Sequence, residues 1–372
     1  MTKLQSIQIG RAVACVLVVF YHLLALSKDY AGSAFYEPAF SGFKAGVDIF
    51  FVISGVVMVI TTYSRFDKDG TATRFFIHRV SRIYPPYWGL AGLLTLYWLR
   101  NPGAINAEHG GVDIVASWTL FPSDKLPIVP VAWTLTYELM FYLVFGLFLA
   151  FLAKRRLVGA LIAWGAAILL AQPFAEALKS VPLASFLTSP FVLEFVGGCL
   201  IGLAIVRGTV RFPGPALLAG CAIFLAEFIV LQVLRAPDAL DARLRVGLYA
   251  APALLVVYGL IGLEKNGNWT TFPRWMVALG DASYSLYLVH ILVFHALYRI
   301  TFGPVFGASG SVFLPLAFVL SLVCSYLYFL VIERPVSTFV RLRLERLAGV
   351  DRPHANAAAP SQAPFGATRP QE

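Results

Sequence analysis

Runs of about twenty apolar residues recur along almost the whole chain, separated by short joins of Gly, Pro and charged residues, and this pattern leaves few folds open. A backbone in hydrocarbon must satisfy its own hydrogen bonds, so only helices and closed barrels qualify. A barrel would show alternating segments of about ten residues, so the runs are read as helices. Composition agrees: 13% of the 372 residues are charged, against about 25% in soluble domains. The fold expected is an all-α polytopic membrane bundle of about ten transmembrane helices. They are placed at Ile7 to Leu26, Val47 to Tyr63, Pro86 to Leu99, Val131 to Ala153, Leu157 to Ala171, Phe191 to Val206, Pro215 to Leu234, Val246 to Leu263, Ser283 to Phe302 and Val312 to Ile332.

Residues 1–346 are taken as one integral membrane domain and 347–372 as a disordered cytoplasmic tail, because HANAAAPSQAPFGATRPQE is rich in Ala and Pro and short of large apolar residues. With the N-terminus inside, the inner joins and termini collect about 20 of the 29 Lys and Arg, so both termini are expected in the cytoplasm. The net charge of +9 is spread over those joins rather than gathered in a block, which argues against a nucleic-acid partner. Cys15, Cys199, Cys221 and Cys324 stand singly in apolar segments, without metal-ligand or disulfide spacing, and are expected as buried small hydrophobes. The first span resembles a signal peptide in position, but Arg11 interrupts it and no clear cleavage site follows, so it is read as a retained anchor.

Function is written in the polar residues that these spans tolerate. In IQIGRAVACVLVVFYHLL, Arg11 and His22 are eleven apart. Eleven residues make three turns plus about 20°, so both fall on one face, separated by about 16 Å along the axis. An ionisable residue in a span needs a partner and points to a site. Asp48 opens the second span; Lys44, four residues earlier, offers it an ordinary ion pair, and orienting the His22 imidazole is the functional alternative. In the join before the third span, RFFIHRVSRIYPPYW carries Arg74, Arg79 and Arg82, which serve either as topology signals or as a phosphate clamp for a cytosolic donor. WTLTYELMFY sets Thr134, Glu138 and Tyr142 on one stripe, with Trp133 beside it. SYSLYLVH places Ser283, Tyr287 and His290 on another, with Asp281 as its helix cap. Glu333 and Arg334 read as markers of the membrane boundary.

These blocks, Arg11-x10-His22, GVDIFFVISG, Arg79-x-x-Arg82 before IYPPYW, WTLTYELMFY, SYSLYLVH and IERP, carry a resemblance to the acyltransferase 3 family of membrane acyltransferases. The resemblance implies transfer of an acyl group, acetyl in the first instance, from cytosolic acyl-CoA to a hydroxyl of a cell-envelope polysaccharide or lipid-linked sugar. It implies a multi-pass protein of the bacterial inner membrane, in contact with lipid, using acyl-CoA as co-substrate and holding no permanent cofactor or metal. His22, Arg11, Glu138 and Asp48 are then the candidate catalytic residues. Arg79, Arg82 and Arg74 are candidates for the donor, and Tyr287, His290, Ser283 and Trp133 for the acceptor. A histidine suits proton abstraction near neutral pH, and no GxSxG stretch argues for a serine nucleophile. A small-molecule acceptor fits the same residues, and a transporter or flippase would also place polar groups inside a bundle.

Overall fold

The computed structural model describes residues 4–31, 38–234, 241–301 and 310–350. The long helices are α1 Gln5–Ala31, α2 Ala45–Thr62 and α3 Thr71–Arg100. After a loop with short α4 (Ile114–Thr119) come α5 Trp133–Phe151 and α6 Leu157–Ala171, then the short α7 (Ala175–Leu178) and α8 (Pro182–Leu187). The chain continues with α9 Phe191–Val206, α10 Pro213–Leu234, α11 Ala242–Lys265, α12 Arg274–Asp281, α13 Ser283–Thr301, α14 Gly310–Tyr328 and α15 Arg334–Leu347. No strand occurs among the described residues. Phe302 and the segment 351–372, including most of the expected tail, lie outside them.

Eight described segments are long and apolar enough to cross a membrane, and α12 with α13, bent by 73° at their junction, makes a ninth. The expected third span does not meet that test. Residues 86–99 are the second half of one continuous helix, α3, in which Pro85 and Pro86 lie inside rather than at the start. The segment from Thr71 to Arg82, expected as a join, is the first half of that helix, so its arginines ride on a rigid element. At 1.5 Å per residue α3 is about 45 Å long, more than the hydrocarbon thickness. Mixing a charged half with a Tyr- and Trp-rich half hides the span from a test of apolarity.

Helices α2 and α9 form the centre, and glycine is why they come so close. A Cβ on Gly55 would lie 2.1 Å from the Phe195 carbonyl oxygen, and one on Gly198 would lie 2.1 Å from that of Val52. Small residues four apart, Gly198 and Gly202, are the means by which membrane helices bring backbones together. The N-terminal part of α1 meets α12 the same way, since a Cβ on Gly280 would meet the Gln8 carbonyl at 2.1 Å. Helices α6 and α10 lie outside this centre and turn Leu170, Leu218 and Val233 outward, as lipid-facing helices do. Cys15 and Cys199 are buried as expected, whereas Cys221 is exposed on α10, because that helix packs on one side only.

Candidate active site

A cavity enclosing about 750 Å³, part of it open, runs between α1, α2, α3, α5 and α13. Its charged lining is Arg11, Arg79, Arg82 and Glu138, three guanidiniums against one carboxylate. Each arrives by a separate local reason. Arg79 and Arg82 are one turn apart on α3, and Arg79 is packed between the rings of Phe75 and Tyr142, 5.6 and 5.5 Å from their centroids. Arg11 enters from α1 and makes no ion pair with a described carboxylate. The stripe Thr134, Glu138, Tyr142 faces the cavity along its whole length. Glu138 Oε1 accepts from Ser54 Oγ at 2.9 Å and from the Tyr142 hydroxyl, so its carboxylate is engaged by hydroxyls and not by an arginine.

Two buried polar atoms on this cavity have no hydrogen-bond partner, Arg79 Nε and Ser283 Oγ. Buried polar groups are nearly always satisfied, so orphans facing a cavity mark a place for a ligand's acceptors and donors. Ser283 also begins α13, whose amino end is thereby directed at the cavity and adds a partial positive charge. A carboxylate from another helix also caps this one. Glu333 accepts from Ser285 N at 3.0 Å and Ser285 Oγ at 2.5 Å, reached through a π-helical turn at Phe329–Glu333. Glu333 is therefore a buried cap and not merely a boundary marker.

The histidines form a separate group. His22 Nδ1 lies 3.1 Å from Nε2 of His290 and 3.0 Å from the Val18 carbonyl oxygen. Tyr287 connects the two groups. It lines the cavity, shares a 2.8 Å hydrogen bond with Thr134, donates to the Val131 carbonyl at 2.6 Å, and holds its ring 6.2 Å from that of His290.

Three expected placements change. Asp48 is fully buried and takes Arg245 of α11, with Nη2 to Oδ2 at 2.7 Å, instead of orienting His22. Arg245 Nη2 also donates to the Lys44 carbonyl at 3.0 Å, so the basic partner is a residue far along the chain. Arg74 turns away from the other arginines to Glu345 of α15 at 3.8 Å, beside the 2.5 Å contact of His78 with the same carboxylate. Trp133 packs on Tyr137 and Phe191 and lines a second cleft with Asp113, Asp124 and Phe186, outside the arginine cavity.

Arg245 and Glu194 escaped the sequence reading. Glu194 is fully buried on α9, and it is a lone carboxylate in an apolar run, the same signal that singles out Glu138. Among the described residues no three His, Cys, Asp or Glu side chains converge to hold a metal ion.

The profile of a family described as an acyltransferase domain matches residues 4–330. The chain is 30% identical over 300 residues to the exopolysaccharide production protein ExoZ of Rhizobium meliloti, covering 72% of this chain and 82% of that protein. It is 28% identical to the acyltransferase MdmB of Streptomyces mycarofaciens, covering 85% and 84%, and 28% identical to nodulation protein 10 of Rhizobium leguminosarum bv. viciae, covering 78% and 83%. No solved structure matches the chain.

Proposed function

From the premise that this chain belongs to the acyltransferase 3 family, and is an acyltransferase, we propose that it moves an acyl group, acetyl in the first instance, from acyl-CoA to a hydroxyl of a cell-envelope glycan or its lipid-linked precursor. The observation that carries this reading is the cavity with Arg11, Arg79 and Arg82 set against the single carboxylate of Glu138. An excess of guanidinium in a low-dielectric cavity calls for an anion, and planar forks suit phosphate. Acyl-CoA brings phosphates at one end and a thioester at the other. The basic joins favour the cytosol for the arginine end, where that donor is made. The glycan acceptor rests on the relationship to a protein named for exopolysaccharide production.

In the reaction, Nε2 of His22 takes the proton of the acceptor hydroxyl as its oxygen attacks the thioester carbonyl carbon. The carbon–sulfur bond then breaks, the ester leaves, and the proton passes from His22 to the thiolate of CoA. Purified protein is expected to release free CoA from acetyl-CoA only when a hydroxyl acceptor is present. His22→Ala should cut that release by about 10²- to 10⁴-fold while folded protein remains in the membrane. Near-normal turnover in that variant would reassign the base, and acceptor-independent behaviour with no CoA release would favour a transporter.

A further inference from the structure

We infer that His290 is the positioning residue for His22, and that the two imidazoles act as one proton-sharing unit in which only His22 meets substrate. The inference rests on the proposed acyl transfer for its effect on turnover, but its geometric basis is independent of it.

The hydrogen-bond partners assign every ring nitrogen in the pair. His290 Nδ1 lies 2.9 Å from the Leu286 carbonyl oxygen, and His22 Nδ1 lies 3.0 Å from that of Val18. A carbonyl oxygen only accepts, so both Nδ1 atoms carry hydrogen, and in a neutral ring the Nε2 atom is then bare. Nε2 of His290 is thus an acceptor, and the atom 3.1 Å away is Nδ1–H of His22. His22 gives its one hydrogen to the Val18 carbonyl and His290 together, and its own Nε2 keeps a free lone pair.

Exposure divides the roles in the same direction. His290 is fully buried, while His22 remains partly exposed. Rings close the pair in: Tyr21 lies 5.1 Å from His22, and Phe294 meets His290 edge to face at 5.7 Å. The helices that bring the two histidines together are locked below them, where Cys15 Sγ reaches the Ser283 carbonyl oxygen at 3.3 Å.

In other histidine-based sites a carboxylate supports the base and stabilises its imidazolium. Among the described residues, the carboxylates Asp48, Glu138 and Glu333 have other partners, since Asp48 holds Arg245, Glu138 takes Ser54 and Tyr142, and Glu333 caps Ser285. The second imidazole fills that role. When Nε2 of His22 accepts the hydroxyl proton, the positive charge spreads over both rings, as the Nδ1 hydrogen moves toward His290 Nε2. It moves back as the CoA sulfur takes the proton from His22 Nε2, so the pair ends as it began.

The test uses full-length protein in lipid nanodiscs with ¹⁵N-labelled histidine rings, assigned by comparison with His22→Gln. The expected spectrum shows hydrogen on Nδ1 and none on Nε2 of His22, with a scalar coupling across the N–H···N bond to His290. Hydrogen on Nε2 of His22, or absence of that coupling, overturns the pairing. In kinetics, His290→Leu should lower kcat by at least about tenfold with both KM values unchanged. His290→Gln, whose amide oxygen can accept from His22, should recover part of the loss. Equal losses in the two variants, or a loss confined to KM, would overturn the positioning role. A coupled pair in a protein whose His22→Ala variant still turns over would instead refute the proposed base and leave the pairing intact.

Discussion

Asp48 shows how much a single residue's meaning depends on its partner. If Arg245 is that partner, Asp48→Asn strands a buried guanidinium and should cost about 3–5 kcal/mol in thermal unfolding of the solubilised protein. The double variant Asp48→Leu with Arg245→Leu should be more stable than either single change, because neither member of the pair is left without the other. A folded Asp48→Asn protein with normal stability and lost kcat would return this carboxylate to the histidines. The arginines make a second prediction, since Lys preserves the charge that topology reads but not the fork. Changing Arg79 and Arg82 together to Lys should raise the KM for acetyl-CoA, leave the acceptor KM nearly unchanged, and make turnover more sensitive to salt. An unaltered donor KM would reduce both residues to topology signals. The polar residues themselves were legible in the sequence, because Arg11, His22 and Glu138 each stand against an apolar background. Their partners were not, as Asp48 meets Arg245 across 197 positions and His22 meets His290 across 268. Local spacing carries no information about such pairs.

Helices were legible for the same reason that their contacts were not. Apolar runs give the length and place of a span, so the expected ends agree with α2, α5, α6 and α9 to within a few residues. What they conceal is which faces meet, since lipid and helix interior ask for the same apolar chemistry. The glycines carry that information, and they were read only as punctuation. Gly198→Ala should destabilise the protein by roughly 1–3 kcal/mol or more, because the new methyl would press on the Val52 backbone and no rotamer can relieve it. Gly159→Ala on α6, where a Cβ meets nothing within 4 Å, should be silent or slightly stabilising by the same thermal measurement. Equal behaviour of the two variants would show that α2 and α9 are not in backbone contact. Helix α3 was misread for a different reason. Arginines at its start look like a join, yet their i,i+3 spacing is also helical, and the long helix carries them from outside the bundle into its cavity.

For the whole molecule, the alternation of basic and non-basic joins predicts sidedness. With the native cysteines replaced, one introduced at Arg156 should be shielded from an impermeant thiol reagent in intact cells, and one at Ala107 should be labelled; the reverse would invert the protein in its membrane. That orientation gives the arginine cavity and the histidine pair opposite aspects. Helix α13 carries residues of both groups, and so does α1. Its interval from Arg11 to His22 then becomes a length standard of about 16 Å. A donor gripped by its phosphates among the arginines delivers its acyl carbon to His22 only if an arm of matching reach joins the two. Acetyl phosphate, which joins a phosphate to an acetyl group with no arm between them, should enter the cavity and compete there, yet acetylate nothing.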